Sequence, residues 1–250
     1  MPERDTATQP LHDLLSAFGL LTRLPLPQTT RHRANAAWCW PLVGLGVGAV
    51  ALGIGWLGLQ AGVAPGTAAA LTMGAGVMVT GALHQDGLAD TADGLFGGWT
   101  PERRLDIMKD SHIGSYGTLA LIIVSLALWS ALGGLIAAGD WVAIGAAAAL
   151  SRAPMAVTMA ALPNARKAGL SSNVGRPSRG AAAIAVVLAV LICAGLTQDL
   201  RQTLAMVVAC AVASLWVAVT AQRKIGGQTG DILGATQQLS LVAALIAAQM

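Results

Sequence analysis

Three aspartates in the stretch HQDGLADTADGLFGG have the types and spacing of a metal-binding site. Asp86, Asp90 and Asp93 are separated by four and then three residues, so on a helix that continues from the preceding apolar segment their carboxylates would lie on one face. Clustered carboxylates repel one another unless a cation compensates them, and Mg²⁺ commonly binds a few carboxylates together with substrate phosphates. The pattern therefore favours Mg²⁺-dependent diphosphate chemistry over a solvated acidic helix face, because apolar and glycine residues separate the aspartates at a membrane boundary.

A basic segment follows the aspartates in the same connection between apolar segments. It contains Arg103, Arg104, Lys109, Asp110 and His112. Cations of this kind stabilise charge on phosphoryl oxygens, which makes the segment a candidate clamp for a substrate phosphate. An amphipathic helix in the lipid headgroup region would show the same periodicity. The residues alone leave these two interpretations open.

Two further charged residues are candidates for binding a substrate phosphate. Asp231 follows Gly227 and Gly230, whose conformational freedom would let the backbone approach a phosphate. Asp231 could equally lie in the first turn of the last helix, where a carboxylate complements the helix dipole. Arg152 lies inside an apolar segment, and a cation buried in a span indicates a functional site. Its partner would be an aspartate or a substrate phosphate.

The elements that must position these residues are membrane-spanning helices. Of 250 residues, 55% are hydrophobic and 11% are charged, whereas about 25% are charged in soluble domains. A helix needs about 20 residues to cross the hydrocarbon core. The segments that approach this length are 37–59, 66–83, 117–138, 141–162, 181–196, 203–221 and 232–249. The sequence therefore predicts an all-α polytopic membrane bundle of about seven transmembrane helices, folded as one domain over residues 1–250.

The distribution of Lys and Arg predicts which connections face the cytoplasm, because basic residues near short loops mark that side. With seven spans and a cytoplasmic N-terminus, Arg152 falls within a span and Arg201 outside. All the other basic residues fall on the cytoplasmic side: Arg4, Arg23, Arg31, Arg33, Arg103, Arg104, Lys109, Arg166, Lys167, Arg176, Arg179, Arg223 and Lys224. The connection from His84 to Tyr116 holds six of the twelve acidic residues. We therefore expect a cytoplasmic site.

Cysteine and charge usage argue against several other classes of protein. Cys39, Cys193 and Cys210 lie inside apolar segments without a CxxC pair or a histidine at ligand spacing, which argues against zinc sites and disulfide frameworks. The basic residues behind the net charge of +3 flank apolar segments and form no patch with interleaved aromatic residues. We therefore expect a lipid bilayer and no nucleic acid among the partners. Association into a homo-oligomer is left open.

Several separated motifs resemble those of the cobalamin synthase family, the adenosylcobinamide-GDP ribazoletransferases. They are LTRLPLP at 21–27, WPLVG at 40–44, HQDGLADTADGLFGG at 84–98, ERRLDIMKDSHIGSYG at 102–117, SRAPM at 151–155, LPNARKAGL at 162–170, GRPS at 175–178 and GGQTGDILGA at 226–235. The resemblance covers nearly the whole chain, and the acidic block is its most specific part.

The resemblance implies a multi-pass enzyme of the bacterial cytoplasmic (inner) membrane that acts in the last steps of cobalamin biosynthesis. A ribose hydroxyl of α-ribazole, or of α-ribazole 5′-phosphate, would attack the cobinamide-side phosphorus of adenosylcobinamide-GDP. The products would be adenosylcobalamin, or its 5′-phosphate, and GMP. The resemblance also implies a requirement for Mg²⁺.

Carried onto this sequence, the resemblance implies roles for the candidate residues. Asp86, Asp90 and Asp93 would bind Mg²⁺, and Asp93 would also act as base toward the attacking hydroxyl. Asp90, Asp93, His84 and Lys109 are accordingly the predicted catalytic residues. The predicted contacts with substrate come from the remaining charged and polar positions: Arg103, Arg104, Asp110, His112, Arg152 and Asp231.

Two other classes of membrane protein share part of this pattern. CDP-alcohol phosphotransferases also bind metal with aspartates on helices, but their DGxxAR motif is absent, since Asp90 rather than Arg follows Asp86-Gly87-Leu88-Ala89. A transporter would place polar residues near the middle of the membrane, where the predicted topology places only Arg152. The transferase accounts for more of the residues than either alternative.

Overall fold

The computed structural model describes residues 9–26 and 33–250, and most of them are helical. The helices are α1 (Pro10–Leu21), α2 (Trp40–Gln60), α3 (Pro65–Thr80), α4 (Leu83–Gly97), α5 (Pro101–Ile107), α6 (Ser115–Ala138), α7 (Trp141–Leu150), α8 (Ala153–Ala161), α9 (Leu170–Val174), α10 (Arg179–Thr197), α11 (Leu200–Ile225) and α12 (Gly230–Ala247), with a 3-10 helix over Ala34–Cys39. No strand forms within the described ranges, so the all-α prediction is confirmed there. Arg4, Pro27 and Arg31 lie outside the described residues.

The described part of the chain contains six helical segments that are long and apolar enough to cross a membrane, and α3 with α4 makes a seventh if that bent pair counts as one span. The six are Ala34–Gln60, Ser115–Ala138, Trp141–Ala161, Arg179–Thr197, Leu200–Ile225 and Gly230–Ala247. Each coincides, to within a few residues, with a predicted segment. The predicted polytopic bundle of about seven transmembrane helices is therefore confirmed.

At each end of the bundle, side-chain hydrogen bonds link loops and helix ends that are distant in sequence. At one end, Arg104 in α5 donates to the backbone carbonyl of Lys224 near the end of α11. At the other end, Gln202 in α11 donates to the carboxylate of Asp140 and to the carbonyl of Ala248. Connections that the predicted topology places on one side of the membrane therefore also meet in the fold.

The aspartate helix does not continue the second span, contrary to the expectation from the sequence. The chain bends by 89° between α3 and α4, where Gly81 and Ala82 have φ of 62° and 58°. Glycine adopts this left-handed conformation without steric penalty, and Gly81 is the C-cap that follows the last residue of α3. As a result, α4 turns away from the axis of α3 and packs against α6 and α12.

A pair of glycines brings α4 close to the start of α12. A Cβ added at Gly87 would lie 2.9 Å from the carbonyl oxygen of Asp231 and 3.1 Å from the Cα of Gly234. Both distances are shorter than an ordinary van der Waals contact, so any larger residue at position 87 would push the two helices apart. The glycine pair therefore allows the α4 aspartates to lie beside Asp231.

The predicted fourth span is broken near its middle. Ser151 and Arg152 separate α7 from α8, and Pro154 follows in the first turn of α8, where its missing N–H costs nothing. The side chain of Arg152 points into the bundle and is only 3% exposed. The break thus places a buried guanidinium about halfway along an otherwise apolar span.

Reporter fusions test the orientation predicted from the basic residues. Fusions after Ala138 and Leu196 are expected to report the outside, and fusions after Leu83, Leu162 and Ala221 the cytoplasm, because Lys and Arg flank the latter positions. Alkaline phosphatase and a cytoplasm-dependent fluorescent reporter, each placed at every site, should give opposite activities. The reversed pattern would contradict a cytoplasmic aspartate helix.

Candidate functional site

Three carboxylates meet where α4 crosses the first turn of α12. Asp86 is exposed and Asp90 is half-buried on α4, while Asp231 lies in the first turn of α12. The half-buried carboxylate of Asp90 lies close enough to Asp231 and Asp86 to feel the negative charge of both. A bound cation would favour the ionised form of all three groups. The fold therefore places Asp231 near Asp86 and Asp90, and the role of these aspartates as cation ligands stays a prediction.

Asp93 is engaged differently from the other two aspartates of α4. Its buried carboxylate accepts hydrogen bonds from the backbone N–H of Gly114 at 2.7 Å and of Gly117 at 2.9 Å. These N–H groups lie at the start of α6, where the helix leaves them without an internal partner and where a negative charge is favoured. Asp93 thus joins α4 to α6. Its roles as metal ligand and base stay predictions.

Arg166 brings a positive charge to the three carboxylates, and it was not among the predicted site residues. Its guanidinium lies 3.0 Å from the carboxylate of Asp231 and also donates to the carbonyl of Leu105 at 3.4 Å. No spacing in the sequence relates Arg166 to Asp231, because the two lie on opposite sides of two spans. The one feature of the sequence that could have indicated Arg166 as a site residue is its position in the motif LPNARKAGL, directly after a span.

A polar network holds the connection after α8 against the loop before α12. The backbone N–H of Gln228 donates to the carbonyl of Pro163, and its carbonyl accepts from Ala165, both at 2.8 Å. Its side-chain oxygen accepts from the hydroxyl of Ser171 at 2.8 Å, and its amide nitrogen contacts the side chain of Asn164. Asn164, Ser171 and Gln228 are not predicted from the sequence, because nothing local indicates that the two loops pair.

These residues line a cavity of about 220 Å³ beside the carboxylates. Its polar wall comprises His84, Asp86, Asn164, Arg166, Ser171, Gln228, Thr229 and Asp231. Apolar side chains, among them Trp40, Met155 and Met159, form the rest of the wall. Convergent charged groups on one side and apolar surface on the other suit a ligand that carries both a phosphate and a ring system.

The basic segment does not line this cavity. Arg103 and Lys109 are exposed at the surface. Arg104 donates to the carbonyl of Gly98 at 3.0 Å and to that of Lys224 at 2.9 Å. Because the last carbonyls of a helix lack partners within it, Arg104 stabilises the end of α11 and fixes α5 beside it. The predicted phosphate contacts of these residues stay predictions.

Asp110 and His112 contact each other in the exposed turn before α6. The His112 Nδ1 atom lies 2.7 Å from the Asp110 carboxylate. The His112 ring and its backbone N–H hold the pKa of Asp110 below its usual value. Neither residue lines the cavity, so their predicted contacts with substrate also stay predictions.

His84 and Arg152 lie deeper than the aspartates, with exposures of 1% and 3%. His84 lines both the 220 Å³ cavity and a second one of about 80 Å³. Arg152 lines only the smaller of these two cavities and donates to the carbonyl of Ala148 at 2.7 Å. The structure therefore brings His84 to the aspartates and places Arg152 behind it.

The carboxylates fit Mg²⁺ as a partly hydrated ion. In the described ranges, no group of three or more His, Cys, Asp or Glu side chains has an arrangement that could hold a metal on its own. Mg²⁺, however, is usually held by one or two carboxylates, with waters and substrate phosphates as its other ligands. Asp86 and Asp90 have no hydrogen bond or ion pair to the other described side chains. Their oxygens are therefore free to bind such an ion.

Comparison with known proteins finds relatives over nearly the full chain. Residues 13–249 match the family described as cobalamin-5-phosphate synthase. A protein from Bradyrhizobium diazoefficiens named adenosylcobinamide-GDP ribazoletransferase is 40% identical, over 99% of this chain and 97% of its own. Proteins of the same name from Brucella ovis and Brucella canis are 42% identical, over 94% of this chain and 95% of theirs. No solved structure matches the chain.

Proposed function

The chain belongs to the cobalamin-5-phosphate synthase family, and from that membership we infer that it is an adenosylcobinamide-GDP ribazoletransferase, the activity for which its relatives are named. Its second substrate is α-ribazole or α-ribazole 5′-phosphate. A ribose hydroxyl forms a bond to the cobinamide-side phosphorus as the bond from that phosphorus to the bridging oxygen of the diphosphate breaks. GMP leaves with the bridging oxygen, and adenosylcobalamin or its 5′-phosphate is formed.

One structural observation gives the main support for this function. Asp86, Asp231 and Arg166 line a cavity with an apolar wall, and Asp90 lies near enough to feel the charges of all three. Phosphoryl transfer depends mainly on positioning and on stabilising the charge of the phosphoryl oxygens. A guanidinium and a carboxylate-bound cation are the groups that do this in other phosphotransferases. The apolar wall offers contact for the ring systems of the substrates.

We propose that Asp86 and Asp90 hold Mg²⁺, with Asp231 contributing from the facing helix. When bound, the ion would neutralise the diphosphate and stabilise the departing phosphate. The position of Asp90 supports this assignment, because the half-buried carboxylate lies near the like charges of Asp231 and Asp86, which a cation would compensate. The glycine pair at positions 87 and 234 keeps the two helices close enough for both to contribute.

Arg166 is the side chain best placed to bind a phosphate oxygen. It lines the cavity, its side chain is 15% exposed, and its contact with Asp231 fixes the direction of the guanidinium. A guanidinium presents paired N–H donors that match the oxygens of a phosphate. The first turn of α12 lies beside it, and unpaired backbone N–H groups at a helix start favour an anion.

The attacking hydroxyl must lose a proton, and the surroundings of the aspartates decide which can receive it. Asp86 lines the cavity directly, and Asp90 lies one helical turn farther along α4. Asp93 has its carboxylate occupied by two backbone N–H groups of α6. These contacts favour Asp86 or Asp90 over Asp93 as the proton acceptor.

The proposed location is the cytoplasmic face of a bacterial inner membrane. The multi-pass helices place the chain in a bilayer, and the basic residues concentrate at the end of the bundle that holds the carboxylates. Arg166, for example, lies beside Asp231, and Lys224 donates to the carbonyl of Leu95 in α4. A nucleotide-activated substrate would reach this face from the cytoplasm.

The direct test incubates the detergent-solubilised protein with adenosylcobinamide-GDP, Mg²⁺ and either α-ribazole or its 5′-phosphate. We expect GMP and a complete corrinoid in equal amounts, and chelation of Mg²⁺ should stop both. Chromatography with detection of the corrinoid absorbance measures the products. Release of CMP from a CDP-alcohol, without GMP from the corrinoid substrate, would instead support the phosphotransferase alternative.

A further inference from the structure

The cavity behind His84 has a polar lining inside an otherwise apolar part of the bundle. It encloses about 80 Å³ and is lined on one side by His84, Gln85, Arg152, Gln237 and Gln238. Thr72 and Thr80 of α3, together with apolar residues of α2, α3, α6, α7 and α12, form the other walls. We refer to it as the Arg152 chamber. Polar groups at this depth are costly in a membrane protein unless they have partners.

Arg152 has a full positive charge in this chamber without a carboxylate to balance it. None of the ion pairs among the described residues includes it, and the walls of the chamber contain no acidic side chain. One guanidinium nitrogen donates to the carbonyl of Ala148 at 2.7 Å, whereas the buried Nε atom has no partner. A buried cation without a counter-ion is strongly unfavourable.

Two neighbouring side chains also present buried polar atoms without partners. They are Nε2 of His84 and the amide oxygen of Gln85. His84 Nε2 becomes a donor in one tautomer, and a 180° rotation of the Gln85 amide presents its NH₂ group at the same place. Together with Arg152 Nε, these groups would form a set of donors at one side of the chamber.

The other polar side chains of the chamber are already paired. Thr72 and Thr80 donate to carbonyls of their own helix, both at 2.9 Å. Gln237 donates to the hydroxyl of Ser151 at 3.1 Å, and Gln238 donates to the side-chain oxygen of Gln237 at 2.7 Å. These bonds hold the α12 side of the chamber in place. They leave the donors around Arg152 to be satisfied by something that enters the chamber.

We propose that the Arg152 chamber binds one small inorganic anion, chloride or inorganic phosphate, which accepts hydrogen bonds from Arg152, His84 and Gln85. An anion balances the guanidinium charge and satisfies the donors at once. Water alone would satisfy the donors but would leave the charge uncompensated. The chamber, at about 80 Å³, is much smaller than the substrate cavity, at about 220 Å³. The site is therefore distinct from the substrate cavity and does not depend on the proposed function.

The anion would act on the aspartate site through His84. By accepting from Nε2–H, it fixes the tautomer in which Nδ1 is the free acceptor of the ring. His84 separates the two cavities, since it lines both. Binding in the chamber therefore positions a side chain of the substrate cavity without any contact between the anion and the substrate.

The test compares thermal stability of the solubilised protein in chloride, phosphate and gluconate salts of one cation at equal ionic strength. A thiol-reactive dye reports unfolding, because Cys39, Cys193 and Cys210 are free and buried. An anion at a hundredfold excess over its Kd should raise Tm by roughly 5–10 °C, at about 2–4 °C per kcal/mol. Chloride, phosphate or both should give a saturable increase over gluconate, and the one that does so identifies the anion.

Arg152→Gln should abolish the difference between the salts, while Arg201→Gln should keep it. Arg201 is exposed at the opposite end of the bundle and so controls for general effects of salt and of charge loss. If Arg152→Gln does not fold, anomalous diffraction from the unaltered protein crystallised with bromide, or electron density after phosphate soaking, gives the answer. A peak between Arg152 and His84 supports the proposal. Equal Tm values in all three salts, or density for water only, would overturn it.

Discussion

Asp90→Asn is expected to lower turnover by about two orders of magnitude or more, because a carboxylate ligand contributes to several kcal/mol of charge stabilisation by a bound metal and each 1.36 kcal/mol corresponds to about tenfold in rate. The substitution keeps the size of the side chain, and Asp90 has no ion pair with the other described residues. Fold and membrane insertion should therefore survive. The measurement is GMP release by purified protein over a range of Mg²⁺ concentrations.

Asp106→Asn is the matched control for this prediction. Asp106 lies in the same connection, on α5, but is exposed and is not one of the carboxylates that act on Asp90. It should retain turnover and Mg²⁺ dependence close to those of the unaltered protein. Full activity of Asp90→Asn at saturating Mg²⁺ would refute the metal assignment. Loss of activity with an unchanged Mg²⁺ requirement would assign Asp90 to substrate or proton binding instead.

Replacing Arg166, the ion-pair partner of Asp231, tests whether Arg166 binds a substrate phosphate or only stabilises the fold through that ion pair. Arg166→Gln should raise KM for adenosylcobinamide-GDP more than it lowers stability, because Arg166 lines the cavity and its pair with Asp231 is partly exposed. Lys167→Gln, one residue along the chain, is the control. Stability loss without any change in KM would show that Arg166 only holds Asp231 in place.

Hydropathy was sufficient to locate the spans because a membrane requires each backbone polar group to be satisfied within its own helix. The predicted segment 117–138 matches α6, and 232–249 matches α12 to within two residues at either end. The same signal could not detect the bend before α4. Hydropathy averages over a window, whereas the 89° turn depends on the left-handed conformations of Gly81 and Ala82.

Residue type and spacing identified part of the site for a different reason. Asp86 and Asp90 are one helical turn apart, so local geometry alone relates them. Arg166 and Gln228 reach the site through pairing between two distant loops, which leaves no local pattern. The basic residues of the α5 segment show a limit of charge type alone. Charge type favours a phosphate clamp, which stays a prediction, but it could not indicate that Arg104 donates to the carbonyl of Lys224.

Asp93→Asn is expected to lower the stability and the activity together, unlike Asp90→Asn. Hydrogen bonds to a charged group contribute about 1.5–3 kcal/mol each, and the asparagine NH₂ would face one of the two N–H donors of Gly114 and Gly117. The start of α6 should then separate from α4. Thermal unfolding, followed with the thiol-reactive dye, and GMP release should both fall, without a specific change in Mg²⁺ dependence.

Gly117→Ala tests the same contact while leaving every carboxylate in place. A Cβ at this position would overlap the Asp93 carboxylate and lie 2.9 Å from the carbonyl oxygen of Ala89, so α6 must move away from α4. Gly53→Ala is the control, because no atom lies within 4 Å of a Cβ added there and alanine is favoured over glycine inside a helix. If Gly117→Ala reproduces both losses of Asp93→Asn, Asp93 acts by joining the two helices. A fully stable Asp93→Asn protein with no turnover would instead restore Asp93 as a metal ligand or base.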